Sequence, residues 1–221
     1  MSEVLDSPSS VMGRVSLLLE PFRDTDGLTL TELCRRTGFP RSSAHRMLLQ
    51  LVRVGWMRRS GTTYHLGPKI VELGALAQAH DRIHSAALPA MYDLHRDTGL
   101  VVHLTVLDGD QLVYLEKVSG IRVADSSWAG QRRPAEETVA GLALLAHRDG
   151  THAALEAGSG CSVVDGAVQG GTCFRHVVAT FSAGDGEIAA LSLAGPAEAI
   201  PEDAGRRVRR AADHLAVTLA T

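Results

Sequence analysis

The chain has 221 residues, 45% hydrophobic and 21% charged, with a formal net charge of −3, and this length is enough for one or two compact domains. No apolar run approaches the roughly 18 residues that a membrane-spanning helix needs, so the sequence excludes one. Three cysteines are too few and too scattered for a disulfide framework or a four-ligand zinc site.

The basic residues concentrate in one part of the chain. Residues 1–80 contain ten Arg or Lys and seven Asp or Glu, whereas residues 81–221 contain twelve and eighteen. Between Glu32 and Glu72 there are eight basic residues and no acidic one. A basic segment beside an acidic remainder predicts that the first part of the chain binds a polyanion. Because the first ten residues also lack the basic charge of a secretory signal, we expect a cytoplasmic protein.

The first eighty residues predict three short helices in which the last two form a helix-turn-helix. Thr29 and Glu32 fit a capping box that starts the second helix, which ends at Gly38. A three-residue turn then leads to a third helix, from Arg41 to about Val54. Two helices joined by such a glycine-containing turn are typical of the helix-turn-helix motif.

The third helix has two unlike faces. An apolar stripe consists of Ala44, Met47 or Leu48, and Leu51, while Arg46 and Gln50 lie on the other side, where no acidic residue occurs. Arginine and glutamine form paired hydrogen bonds with base edges in the major groove, so these two are the candidate base-reading residues. The candidate DNA-backbone contacts, from this helix and the hairpin after it, are Arg41, Ser42, Ser43, Arg58 and Arg59.

A basic hairpin and a connecting helix follow. The segment 56–65 predicts a tight β-hairpin with its turn at 60–62, which completes a winged helix-turn-helix. A helix from Lys69 to about Ala79 then lies between the two charge regimes. We therefore expect a DNA-binding domain at 1–67, a linker helix at 68–82 and a second domain at 83–221.

The remaining residues predict an α+β domain in which antiparallel hairpins alternate with helices. Three helices are expected: one that ends near Thr98, one from Glu136 to about Ala146, and one after Pro201. The expected strands are Val101–Leu107, Leu112–Val118, one around 122–127, Phe174–Phe181 and Ile188–Ala194.

The run TLTELCRRTGFPRSSAHRMLLQLVRVGWMRRSGTTYHLGPKIVELG resembles the N-terminal domain of the IclR family of bacterial transcription regulators. The later landmarks Gly130-x-Arg-x-Pro134, Thr138-Val-Ala-Gly141 and Gly184-Asp-Gly186 resemble the effector-binding domain of that family. The resemblance implies a winged helix-turn-helix, a linker helix and a GAF-like domain that binds a small-molecule effector. It also implies a double-stranded DNA operator as a partner, and a homo-oligomer that is a dimer or a dimer of dimers.

Carried over by position, the resemblance implies seven effector-binding residues: Val139, Ala140, Asp165, Cys173, Arg175, Ser192 and Ala194. Strand alternation puts Cys173 and Arg175 on one face, and likewise Ser192 and Ala194. We expect Arg175 and Ser192 to contact a small metabolite that carries a carboxylate, because arginine can bind a carboxylate at two points. Alternatively, Arg175 pairs with Asp165 and fills the cavity of the ligand-free protein. The segment 148–164 is shorter than is usual in the family, which leaves the effector's identity open, and the sequence does not distinguish a repressor from an activator.

Two other classes of protein compete with a DNA-binding regulator. For an enzyme, the segment 158–162 superficially suggests a nucleophile loop, but its spacing is not Gly-x-Ser-x-Gly and a flexible linker is the simpler interpretation. His80 and His84 could bind a metal, yet they lack the rest of a His-Glu-x-x-His motif. The third class, a sensing module that binds a protein partner, does not need the basic segment. We therefore predict no catalytic residue, no metal and no cofactor.

Overall fold

The computed structural model describes residues 10–120, 127–151, 162–169 and 172–220. The chain forms two compact units, of which the first ends at Ala77 and the second begins at Gln78. The helices are α1 Val11–Leu19, α2 Leu30–Thr37, α3 Arg41–Arg53, α4 Pro68–His80, α5 Arg82–Thr98, α6 Val139–Arg148 and α7 Ala204–Leu219. The strands are β1 Leu28–Thr29, β2 Met57–Ser60, β3 Thr63–Leu66, β4 Val101–Asp108, β5 Gln111–Val118, β6 Arg132–Pro134, β7 Ser162–Gln169, β8 Thr172–Ser182 and β9 Ile188–Pro196.

In the first unit, three helices pack on a small antiparallel sheet. Its strand order is β1-β3-β2, and β2 and β3 form the predicted wing. The largest fully buried side chains of this core include Tyr64 from β3 and Leu48 from α3. The wing therefore shares a core with the helices, which fixes its position against α3.

Local sequence signals set the boundaries of the helix-turn-helix. Thr29 and Glu32 form the predicted capping box: the Thr29 backbone N–H donates to the Glu32 carboxylate at 2.8 Å, and the Glu32 N–H donates to the Thr29 hydroxyl at 3.3 Å. Gly38 adopts a left-handed φ of 72° at the end of α2, a conformation that glycine accepts without steric cost. The turn between α2 and α3 is consequently as short as the sequence predicts.

The second unit is a six-stranded sheet with the order β6-β5-β4-β9-β8-β7, and every described pairing is antiparallel. Helices α5 and α7 cover one face, where Leu104, Leu191 and Leu193 lie in the main core. Helix α6 packs on the opposite face, against Val178 and Ala190. The α+β class with an antiparallel sheet and flanking helices is confirmed.

Two details of the second unit differ from the sequence expectations. A 3₁₀ turn occupies 135–137, and α6 begins at Val139 because the Thr138 hydroxyl accepts a hydrogen bond from the Gly141 N–H at 3.0 Å and caps the helix. Strands β6 and β7 were not predicted. Of the strand expected around 122–127, residues 122–126 lie outside the described part of the chain.

Candidate nucleic-acid interface and effector face

Helix α3 presents the predicted base-reading residues to solvent. Ala44, Leu48 and Leu51 are buried, as the apolar stripe predicts, and Arg46 and Gln50 are exposed on the other side. Neither the Arg46 nor the Gln50 side chain makes a hydrogen bond or an ion pair within the described residues. Their side chains therefore need to break no internal interaction in order to bind a base edge.

The start of α3 holds the residues predicted to contact the DNA backbone. Arg41 and Ser42 are exposed, and the Arg41 guanidinium donates to the Thr31 hydroxyl at 2.9 Å, so it lies between the first turns of α2 and α3. Ser43 is half-buried, because its position on the helix turns it toward the core. Arg41 and Ser42 are thus better placed than Ser43 for a phosphate contact.

The two wing arginines differ in how they are held. The Arg59 Nε donates to the Gly61 carbonyl at 2.8 Å, and its guanidinium lies 5.5 Å from the centre of the Tyr64 ring. Arg58 is exposed and has no such partner among the described residues. Arg59 is positioned before any ligand binds, whereas no such contact fixes the Arg58 guanidinium in the described structure.

The first turns of α2 and α3 and the wing border an open groove of about 840 Å³. Its lining joins the first turns of two helices to the wing: Thr29, Leu30, Thr31, Arg41, Ser42, His45, Arg59, Thr62 and Tyr64. Sequence reasoning did not select Thr31, His45 or Thr62. His45 could have been found, because it lies one residue before Arg46 on the same outward surface of α3. Hydroxyls, an imidazole and two guanidinium groups suit a phosphate backbone.

In the second unit, the α6 side of the sheet carries most of the predicted effector residues whose side chains are described. Val139 and Ala140 form the first turn of α6, and Ala140 packs with Ala190 and Val178. Ser192 and Ala194 are buried in β9, and their alternation with Leu193 places them on the α6 side. Four of the seven predicted effector residues are therefore on the same side of the sheet.

A partly buried polar cluster lies on that side, and the sequence did not reveal it. His103 of β4 pairs with Ser192 across the strands, and their Nδ1 and Oγ atoms are 3.5 Å apart. The His103 Nε2 is 2.8 Å from the Ser127 hydroxyl, and the Lys117 ammonium donates to the Ser127 carbonyl at 2.7 Å. His103 is only 3% exposed. We name His103, Lys117, Ser127 and Ser192 the sheet cluster.

Arg175 does not join this cluster. In the antiparallel register Arg175 pairs with Gly195, whereas Val178 pairs with Ser192. Since Arg175 is an odd number of residues from Val178, strand alternation places it on the opposite face of the sheet from Ser192. The expectation that Arg175 and Ser192 contact one ligand is therefore wrong. The side chains of Asp165 and Cys173 lie outside the part of the chain that the structure describes.

The alternative sites do not assemble in the described residues. No three potential metal ligands come together there. The His84 Nε2 is 2.9 Å from the Glu116 carboxylate. Glu116 precedes Lys117 in β5, so its side chain lies on the opposite face of the sheet from the sheet cluster. Most of the segment 158–162 lies outside the described residues. Within the described part, no helix is long and apolar enough to cross a membrane.

Solved structures with the same fold cover nearly the whole chain. An IclR homolog from Microbacterium hydrocarbonoxydans, crystallised with 4-hydroxybenzoate, is 26% identical, with a TM-score of 0.80 over 95% of this chain and 99% of the other. HmgR of Pseudomonas aeruginosa is 18% identical, with a TM-score of 0.75 over 94% and 97%, which is a likeness of fold alone.

Comparison of sequences leads to the same family. The chain is 35% identical to the transcriptional regulator KdgR of Escherichia coli over 148 residues, which are 65% of this chain and 56% of KdgR. It is 35% identical to KipR of Bacillus subtilis over 119 residues, 53% of this chain and 48% of KipR, so it matches about half the length of these relatives. Residues 13–61 match the IclR helix-turn-helix domain and residues 75–157 match the C-terminal domain of bacterial IclR regulators. The chain belongs to the IclR family of transcriptional regulators.

Proposed function

We propose that this protein is a sequence-specific DNA-binding regulator of transcription whose operator affinity is controlled by a small molecule. The observation that carries the proposal is the outward face of α3, where Arg46 and Gln50 are exposed and unpartnered among the described residues. Solvated surfaces usually mix charges of both signs, but α3 contains no acidic residue. A protein that acts on chromosomal DNA works in the cytoplasm, and nothing in this role requires catalysis.

A homodimer would let two copies of α3 enter successive major grooves, about 34 Å apart. One winged domain offers few base contacts, and a second copy doubles them. In this arrangement Arg41, Ser42, Arg58 and Arg59 bind phosphates and set the register, while Arg46 and Gln50 read bases. In this proposal the DNA-binding domain ends at residue 67 and the effector-binding domain begins after residue 82, and α4 connects the two.

The experiment compares two arginine variants on a duplex selected by this protein from a random-sequence library. Arg46→Ala should weaken the selected duplex by roughly 1–3 kcal/mol and relax the preference at one base position, because a bidentate base contact is lost. Arg58→Ala should weaken selected and random duplexes alike. If Arg46→Ala keeps the full ratio of specific to random affinity, Arg46 does not read a base.

The small-molecule part of the proposal places a carboxylate on the α6 side of the sheet. It is supported by the sheet cluster, in which Lys117 and His103 supply donors inside a mostly apolar surface, and by the 4-hydroxybenzoate bound to the Microbacterium homolog. Val139, Ala140, Ser192 and Ala194 would line the site. Ligand binding would change operator affinity by about 1–3 kcal/mol, the usual size of such coupling.

Calorimetry with 4-hydroxybenzoate and related carboxylates tests this assignment. We expect binding to the whole protein that Lys117→Met weakens, while Arg175→Ala leaves it unchanged because Arg175 is on the other face. Turnover of any of these compounds, without a preference among DNA sequences, would instead favour an enzyme. A protein that selects no DNA at all would favour a module that senses a small molecule and binds a protein partner.

A further inference from the structure

Helix α3 carries an exposed leucine within its polar outward face. Leu49 is 47% exposed. The buried stripe consists of Ala44, Leu48 and Leu51, and a rotation of about 100° per residue places Leu49 on the outward side of the helix. Folding of this unit therefore leaves half of a large apolar side chain in water.

Three of the four neighbours of Leu49 on the helix surface are polar or basic, and the fourth is the half-buried Val52. His45 and Arg53 lie four residues before and after it, Arg46 lies three residues before it, and all three are exposed. Positions three and four apart are neighbours on a helix surface, so these side chains surround Leu49. The arrangement is a small apolar centre with a cationic rim, and the rim chemistry suits nucleic acid.

We propose that Leu49 contacts the C5-methyl group of a thymine in the major groove, at the base pair next to the one that Arg46 reads. This rests on the proposed function. The thymine methyl is the one apolar group that base edges present in the major groove. Burial of the leucine against this methyl group makes the free energy of binding more favourable. Arg46 and Leu49 are three residues apart, which is about 4.5 Å along a helix. This distance is close to the spacing of about 3.4 Å between neighbouring base pairs, so the two side chains would contact adjacent base pairs.

A second copy of the same surface is a poorer partner. In a contact between two such faces, Arg46 and Arg53 would approach their own copies with no acidic residue of α3 to compensate. Like charges in such a desolvated contact are unfavourable. DNA satisfies both features at once, because its phosphates balance the arginines and its methyl groups meet the leucine.

The test removes single methyl groups from the DNA. In a duplex selected by the protein from a random library, each thymine is replaced in turn by 2′-deoxyuridine, which lacks only the C5-methyl, and affinity is measured by fluorescence anisotropy at fixed salt. The wild-type protein should lose about fourfold affinity at one thymine per half-site, the factor that burial of one methyl group supplies. That thymine should adjoin the base pair at which Arg46→Ala relaxes specificity.

Leu49→Ala should bind the thymine duplex more weakly and should no longer distinguish it from the uracil duplex. Leu142→Ala is the matched control, because Leu142 is 50% exposed on α6 in the other unit, and it should keep the full discrimination. Unfolding temperatures of all three proteins check that the fold is retained. The inference is overturned if no uracil substitution weakens binding, or if Leu49→Ala still discriminates. Since selection of a preferred duplex tests the proposed function first, the two failures are distinguishable.

Discussion

Replacing Arg58 by alanine should reduce the salt dependence of DNA binding without changing sequence preference. Arg41, Arg58 and Arg59 are the cations at the start of α3 and on the wing. Arg58 is exposed and makes no internal ion pair in the described structure, so its loss costs no folding interaction. The variant therefore isolates one phosphate contact in each subunit.

The three cations of one unit become six in the proposed dimer. Each neutralised phosphate contributes about −0.9 to the slope of log affinity against log salt concentration, so six contacts give a slope of about −5.4. Between 50 and 200 mM salt the affinity should fall by a factor on the order of a thousand. Arg58→Ala removes two of the six contacts, and the slope should become about −3.6.

The assay is fluorescence anisotropy of a labelled duplex across that salt range. Arg210→Ala is the matched control, because it removes the same charge from an exposed position on α7 in the other unit and should leave the slope unchanged. Arg46→Ala should lower affinity with little change in slope, since a base contact releases few counterions. An unchanged slope in Arg58→Ala would show that Arg58 does not contact the DNA backbone.

Two further predictions concern the stability of the DNA-binding unit. A Cβ at Gly67 would lie 2.2 Å from the Gly55 carbonyl oxygen, so Gly67→Ala should lower the free energy of unfolding by about 1–3 kcal/mol. Gly74→Ala is the control, because the space around Gly74 is open, and it should not lower the free energy of unfolding. Thermal unfolding of the two variants and the wild type compares these effects. The hydrogen bonds from Thr29 lower the pKa of Glu32, so its contribution to stability is present above the ordinary glutamate pKa and is lost as the pH falls through the lowered value. Acid titration followed by circular dichroism should therefore show a smaller loss of stability in Glu32→Gln than in the wild type, and an identical loss in both would refute the linkage.

Local signals made the DNA-binding unit largely predictable. The capping box at Thr29, the left-handed Gly38 and the three-residue turn determine where α2 and α3 end and begin, and each depends on neighbours in sequence. Helix α3 ends at Arg53, one residue before the predicted Val54. The outward face of α3 followed from helical periodicity alone, which is why Arg46 and Gln50 are exposed as the sequence predicts.

The effector face was less predictable because it depends on pairing between distant strands. Strand alternation correctly grouped Ser192 with Ala194, but only the register between β8 and β9 reveals that Arg175 is on the other face. In the sheet cluster, His103 contacts Ser127, which is 24 residues away in the sequence, and no spacing of residues predicts such a contact. Strand β7 was not predicted for the same reason, because it forms by pairing with β8 and not from a local sequence signal.

The central sheet of the second unit assigns alternate residues of β9 to separate tasks. Leu191 and Leu193 hold the main core together, while Ser192 and Ala194, in the same strand, face α6. Substitutions at the second pair can alter chemistry on one side while the hydrophobic core on the other stays intact. Descendants of one ancestral regulator could in this way diverge in the molecules they recognise and still keep a common scaffold.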